Sequence, residues 1–282
     1  MSQKSYTQEE LLKIQSLELK ALSVLIEICE KLSIDYFLVG GSCLGAVRHN
    51  GFIPWDDDID VGMTREDYLR FLAQAPEHLP KGYTLQTPYN CKQNPYFYTK
   101  LRIDGTKFVE YRNRRVKMHH GIYIDIFPYD EVPDDEKRNL REYLRYRRLI
   151  QLAVFRQCPG PYKKPDNAVR MCKAIVVRAM YYVLHLIPYR SLMRKLDKLA
   201  TKNNGANQQT YACLLTSVWK AGSVRKEDLY PLLDHKFEEL TVKIPRNWDA
   251  YLKTQYGDYW KLPPEDQRVG HRPYEIDFGP YA

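Results

Sequence analysis

LVGGSCLGAVRHNGFIPWDDDIDVGMTREDY, residues Leu38 to Tyr68, carries the pattern that decides the fold. Just before and into it, IDYFLV (Ile34–Val39) is rich in β-forming residues and stops at Gly40-Gly41, after which SCLGAVRHN reads as a helix opened by Ser42. A helix N-terminus presents unpaired backbone amides to anions. Gly40, Gly41 and Ser42 are therefore candidates to hold a diphosphate, against the plainer reading of a strand-to-helix turn. Further on, Asp56-Asp57-Asp58-Ile59-Asp60 packs four carboxylates into five residues, which mutual repulsion makes costly unless water or a cation offsets it. The apolar GFIPW (Gly51–Trp55) ties this loop to a core, and Ile59 lets Asp58 and Asp60 face the same way from a strand at Ile59–Val61. Paired carboxylates on a strand suit Mg²⁺, a hard ion that takes one or two carboxylates plus phosphate oxygens. A solvated acidic turn is the competing reading.

Outward from this stretch, Thr7 and Glu10 make a capping box. Leu11, Ile14, Leu22, Leu25, Ile26, Cys29 and Leu32 recur at mostly helical spacing, so an N-terminal helix is expected to run to about Lys31. GIYIDIFP (Gly121–Pro128) reads as a strand with Asp125 between apolar neighbours. Lys100 and Arg102 alternate on a strand of their own and share a face, where they suit a phosphate-bearing ligand or a solvated edge. Arg48 and His49, a turn or more after Ser42, are either surface residues or phosphate ligands. His119 and His120 are adjacent, point apart and read as loop residues. His271, in VGHRPYEIDF, is a candidate to reach the site.

From about Asp134 to Lys198 the pattern turns helical and basic. Between Lys137 and Lys198, 16 Lys and Arg, Lys163 and Lys164 among them, face three acids. That segment carries +13, whereas the whole chain of 282 residues carries +8, so the positive charge is regional. Its apolar run from Ala174 to Pro188 contains Arg178 and His185 and falls short of the roughly 20 residues that span a bilayer. An interfacial helix on an anionic membrane surface and a core helix with solvated cations are both open. The polar start MSQKSYTQEE is unlike a signal peptide, and the six scattered cysteines form no CxxC pair; a cytoplasmic protein with reduced thiols is expected. KNNGANQQ (202–209) reads as a loop, Tyr211–Val218 as a strand and Phe237–Ile244 as an edge or hairpin strand. The composition, with 44% hydrophobic and 28% charged residues, excludes collagen-like, coiled-coil and wholly disordered classes.

Several motif classes fail on inspection. An EF-hand from Asp56 needs Gly and Glu where Val61 and Asp67 stand, Gly40–Gly45 lacks the third-position glycine of GxGxxG, and no GK[ST] occurs. What remains is a Gly-Gly-Ser turn, an Asp-x-Asp pair and a later strand aspartate. Together these resemble the nucleotidyltransferase superfamily with the DNA-polymerase-β-like fold. The Leu38–Tyr68 string, with YTKLRIDGT (98–106), HHGIYIDIFPYD (119–130) and YGDYWKLPPE (256–265), more narrowly resembles the LicD family of phosphotransferases.

The resemblance implies an α/β nucleotidyltransferase core with a mixed sheet, an N-terminal helix and a helical insertion. One catalytic domain, 1–282, would comprise a core at 1–133, the basic insertion at 134–200 and a C-terminal α/β segment at 201–282. It implies transfer of a phosphoalcohol, typically phosphocholine from CDP-choline, to a sugar hydroxyl of a cell-surface polysaccharide or teichoic acid precursor, with CMP released. Asp58 and Asp60 would hold one or two Mg²⁺, with Mn²⁺ as a substitute. Asp125 would complete the metal site and assist deprotonation of the acceptor, with Asp56 and Asp57 as outer groups. The acceptor would be lipid-linked. A nucleotidyltransferase using a nucleoside triphosphate, and a silent binding protein on the same fold, are the alternatives; no nucleic-acid module is visible. On charge alone, Asp58, Asp60 and Asp125 are each expected to tolerate Asn without loss of fold.

Overall fold

The computed structural model describes residues 6–161, 165–271 and 273–282; Lys163, Lys164 and the first five residues lie outside them. In chain order the elements are α1 (Gln8–Leu32), β1 (Phe37–Leu38), α2 (Gly40–His49), β2 (Asp60–Thr64), α3 (Arg65–Gln74), β3 (Tyr83–Gln86), β4 (Thr99–Ile103), β5 (Lys107–Glu110), β6 (Tyr123–Val132), α4 (Glu136–Gln157), α5 (Ala168–Leu184), α6 (Tyr189–Ala200), β7 (Thr210–Ala212), β8 (Ser223–Arg225), α7 (Lys226–Leu229), β9 (Leu233–Phe237), β10 (Leu240–Ile244), α8 (Trp248–Tyr256) and β11 (Pro273–Asp277).

The architecture is mixed α/β. A sheet runs in the order β1-β2-β6-β4-β3, with β7 pairing to β6 and β8 to β7. Only β2 and β6 are parallel; the other pairs are antiparallel. The ten-residue β6 organises it: its first half lies between β2 and β4, and its last three residues pair with β7. Two further ribbons, β9–β10 and β5–β11, stand apart.

Strand alternation gives the sheet two unlike faces. Leu38, Val61, Met63, Leu101, Ile124 and Ile126 are buried on one. The other carries Asp60, Lys100 and Asp125 side by side, because Asp60 pairs with Asp125 across β2–β6 and Lys100 pairs with Asp125 across β4–β6. A second, smaller core joins α4 to α6 through Tyr146, Ile150, Leu192, Met193 and Leu196.

Most local readings hold, with shifted bounds. The Thr7–Glu10 capping box is present and α1 ends at Leu32. The strand expected over Ile34–Val39 is two residues long, and the helix begins at Gly40 rather than Ser42, with Val39 as its N-cap and Gly40 at a positive φ of 55° where the chain turns from strand to helix. Of the strand expected over Tyr211–Val218 only Tyr211 and Ala212 pair, in a strand that starts at Thr210; the segment after it turns instead, with Gly222 carbonyl accepting from Cys213 N. The Phe237–Ile244 reading becomes a hairpin whose first strand starts earlier, at Leu233. The basic segment is indeed helical, as α4, α5 and α6. No single helix among the described residues is long and apolar enough to cross a membrane, and none of the cysteines is paired.

Candidate active site

β2 and β6 run parallel, so the same register that pairs their backbones sets Asp60 beside Asp125 on one face. Ser42 fixes the start of β2: its buried hydroxyl accepts from Asp60 N at 2.8 Å. Gly41 is forced by packing, since a Cβ there would lie 2.7 Å from Asp56 Oδ2. The first turn of α2, expected to meet a diphosphate, thus already meets the Asp56 carboxylate, in keeping with the preference of helix N-termini for negative charge. Gly40 N donates to Tyr251 Oη at 3.0 Å, which locks α2 to α8.

The remaining aspartates of the run point to different neighbours. Asp57 is buried; its Oδ1 accepts from His271 N at 2.9 Å and lies 3.0 Å from His271 Nδ1, while its Oδ2 has no hydrogen-bond partner among the described residues. Gly270 permits this closure, because a Cβ there would fall 1.9 Å from Tyr6 Oη and 2.7 Å from Asp57 Oδ1. Asp58 lies 3.8 Å from the same His271 nitrogen. His271 therefore reaches the cluster, through Asp57 more than through Asp58. Lys100 Nζ donates to Asp125 Oδ1 at 2.5 Å, both groups buried, and lies 3.3 Å from the Tyr123 ring centroid and 4.3 Å from that of Tyr96.

Among the described residues Arg102, Arg48 and His49 make no hydrogen bond to the carboxylates, although Arg48 lines a cavity together with Asp58 and Asp60. Arg102 is buried on the same face as Lys100 but binds Gln86 Oε1 and Gly121 O. Arg48 holds the C-terminal loop by donating to Tyr259 O at 2.6 Å, and His49 accepts from Arg48 Nε. His119 and His120 lie in a loop, with His119 against Asp104 and His120 against Val116 O.

Two cavities flank the cluster. One of about 570 Å³ is lined by Gly41, Arg48, Trp55, Asp58, Asp60 and Lys261. The other, about 490 Å³, is lined by Tyr98, Glu110, Asp125, Arg147, Phe155 and His271. The carboxylates thus stand at the junction of a cation-edged cavity on the α2 side and an aromatic one on the α4 side.

Burial dominates the electrostatics. It pushes Asp56 up to about 8, with Asp58 and Asp57 adding to it. Asp60 is also held well above the carboxylate range by burial and then by Asp58 and Asp125. Burial raises Asp125 too, opposed by Lys100, whose own ammonium burial lowers. Glu18, buried on α1, is raised by burial and then by Asp58, Asp57, Asp56 and Asp125, and its Oε2 has no hydrogen-bond partner among the described residues. The hydrogen bond that His271 donates to Asp57 raises it to about 10, against the opposing effect of burial. A cluster of this kind holds protons unless a cation replaces them.

Sequence reading missed Glu18, although a signal existed: it interrupts the apolar stripe of Ile14, Leu22 and Leu25 in α1. Gln15, one turn earlier, donates to Asp56 O. Lys261 was legible only as part of the YGDYWKLPPE string.

The proton balance has a testable sign. Asp56 and His271 both bind protons more tightly folded than unfolded, so metal-free stability falls as pH rises, from about 4 to 8 through Asp56 and above about 6.5 through His271. A divalent ion bound at the cluster would displace those protons, so the rise in Tm on adding Mg²⁺ is expected to be larger at about pH 8.5 than at about pH 6. A rise that shrinks with pH would contradict this assignment.

The model of the LicD/FKTN/FKRP family, nucleotidyltransferase domain, matches residues 33–153. The lipopolysaccharide cholinephosphotransferase LicD of Haemophilus influenzae is 30% identical over 249 residues, covering 86% of this chain and 89% of its own. The human ribitol 5-phosphate transferase FKRP is 48% identical over 42 residues, 15% of this chain and 8% of its own. An uncharacterized protein of Rickettsia typhi is 32% identical over 120 residues, 42% of this chain and 35% of its own.

Proposed function

The chain belongs to the LicD/FKTN/FKRP family, and from that footing we propose that it is a metal-dependent transferase moving a phosphoalcohol, phosphocholine first among them, from a CDP-alcohol to a sugar hydroxyl of a cell-surface polysaccharide or teichoic acid precursor. The observation that carries the reading is the pairing of Asp60 with Asp125 across parallel strands, beside Asp58 and between two cavities. Similarity to a cholinephosphotransferase over most of the chain supports phosphocholine as the group moved. We read the core as a nucleotidyltransferase of the DNA-polymerase-β type. The support is its strand, Gly-Gly-Ser helix, Asp-x-Asp strand and parallel strand with a third aspartate.

The donor set suits a hard cation. Asp58, Asp60 and Asp125 offer carboxylate oxygens, and Asp57 Oδ2 and Glu18 Oε2, buried without a hydrogen-bond partner among the described residues, mark a region short of positive charge. Those three aspartates would hold one or two Mg²⁺, or Mn²⁺ in its place, supplying charge neutralisation for the diphosphate. The α2-side cavity suits the CDP moiety: Arg48 and Lys261 stand at its edge for phosphate, and Trp55 and Tyr256 offer rings for the base. The acceptor enters on the Asp125 side. Its hydroxyl gives its proton to Asp125, its oxygen bonds to the phosphorus bearing the alcohol, and the bond from that phosphorus to the CMP oxygen breaks. Lys100 holds Asp125 in place for this step through its 2.5 Å contact. His271, tied to Asp57, closes the C-terminal loop over the junction.

A thermal-shift panel of CDP-alcohols, CTP and CMP with Mg²⁺ tests the donor. A ligand at 100 times its Kd adds about 2.7 kcal/mol, so a CDP-alcohol is expected to give the largest upward shift. CTP as the strongest ligand, with pyrophosphate formed from it, would replace this reading by a nucleoside-triphosphate one.

A further inference from the structure

Helix α5 inverts the usual amphipathic arrangement. None of its 17 residues is buried, and its main packing is against α4. The half-buried Ala174, Val177, Tyr181 and Leu184 recur at helical spacing and mark the side turned inward. The opposite side carries Met171, Ile175, Val176, Tyr182, Val183 and, just past the helix, Leu186; exposure is 63% at Ile175, 64% at Val183 and 84% at Leu186. No charged residue interrupts that stripe. Arg178 stands at one margin, Lys173 is exposed nearer the inward side, and the surrounding segment carries +13. Exposed apolar patches of this extent mark interaction surfaces.

We infer that this outward stripe docks the protein on an anionic lipid surface, with α5 lying in the plane of the interface. Charge selects the occupant: flanking cations attract anionic headgroups, whereas two copies of so positive a segment repel each other, which weighs against self-association through this face. Geometry selects lying over crossing. The next helix, α6, bends away by 97°, and its apolar side is already committed to the second core through Leu192, Met193 and Leu196. It cannot continue α5 as a span without dismantling that core. The α4 helix that supports α5 also lines the Asp125-side cavity through Arg147 and Phe155. Docking therefore brings a membrane surface toward the side where the acceptor is proposed to enter. That last connection rests on the proposed transfer; the docking itself does not.

Cys172 is exposed in the outward half of α5, whereas every other cysteine is at least partly buried, so it reports insertion. The full chain with Cys91→Ser, labelled at Cys172 with an environment-sensitive fluorophore, is mixed with phosphatidylcholine vesicles and with vesicles about 30% in phosphatidylglycerol. Co-sedimentation is expected on the anionic vesicles only, with a blue shift of the label, and both are expected to fall as salt rises from about 50 to 500 mM. Changing Arg170, Lys173 and Arg178 together to Gln should weaken binding by up to about a hundredfold, about fivefold for each cation. Ile175→Asp with Val183→Asp should abolish it at unchanged Tm, since neither side chain is buried. Equal binding to neutral vesicles, no binding at low salt, or binding without a change at the label would each overturn the inference. So would a dimer in vesicle-free solution that Ile175→Asp disperses, which would assign the stripe to a second copy.

Discussion

Asp58→Asn and Asp60→Asn are each expected to lower turnover by at least about a thousandfold, equivalent to roughly 4 kcal/mol of transition-state stabilisation, while metal-free Tm stays at or above that of the unaltered protein. The two halves of this result have one cause. Asp60 is half-buried among carboxylates that raise it, so an amide, which cannot ionise, removes the cost of charging that position in the resting protein and also removes attraction for the proposed cation. Asp125→Asn is expected to be as inactive but less stable, because it strips the counter-charge from a buried Lys100. Charge alone leads one to expect that all three Asn variants keep their fold; the lysine that distinguishes Asp125 is brought to it by β4. CMP release from a CDP-alcohol with acceptor present, measured beside Tm, checks all three. An Asp58 or Asp60 variant that is inactive only because it is unfolded would contradict the assignment.

The second large effect falls on stability. Lys100→Met keeps the length of the side chain but leaves the Asp125 carboxylate buried without its partner, and breaking such a pair costs about 3–5 kcal/mol. At roughly 2–4 °C for each kcal/mol in a chain of this size, Tm should fall by on the order of 10 °C. The double variant Lys100→Met with Asp125→Asn should recover most of that fall, because the penalty comes from the orphaned charge and not from lost packing. If the double variant shows the sum of the single effects, Lys100 and Asp125 are not coupled, and the positioning role given to Lys100 fails.

Local order was legible because it is written locally. The capping box at Thr7 and the apolar spacing of α1 are contained within a few turns, and the four aspartates announce their own repulsion. Register across the sheet was not legible. That Asp60 stands opposite Asp125 depends on two strands about sixty residues apart running parallel, and that Lys100 meets Asp125 depends on β4 entering between β6 and β3. Arg102 shows the same limit: alternation rightly put it on the face of Lys100, but not beside Gln86, which arrives from β3. The Gly-Gly-Ser turn was read as open to phosphate, and packing brought Asp56 against it. Glu18 needed only attention to a charge within an apolar stripe, whereas the closure of Gly270 over Asp57 joins residues more than two hundred apart and leaves no local trace.

The central claim, that the carboxylate junction moves a phosphoalcohol from a CDP-alcohol with CMP as leaving group, is tested most directly by following both products of one reaction. With CDP-choline carrying a label in the choline, Mg²⁺ and a sugar acceptor, the account predicts CMP and choline-labelled acceptor in equal amounts, neither formed after chelation and neither formed by Asp60→Asn. CMP without labelled acceptor in every acceptor tried, or pyrophosphate from CTP with no CMP from any CDP-alcohol, would contradict it.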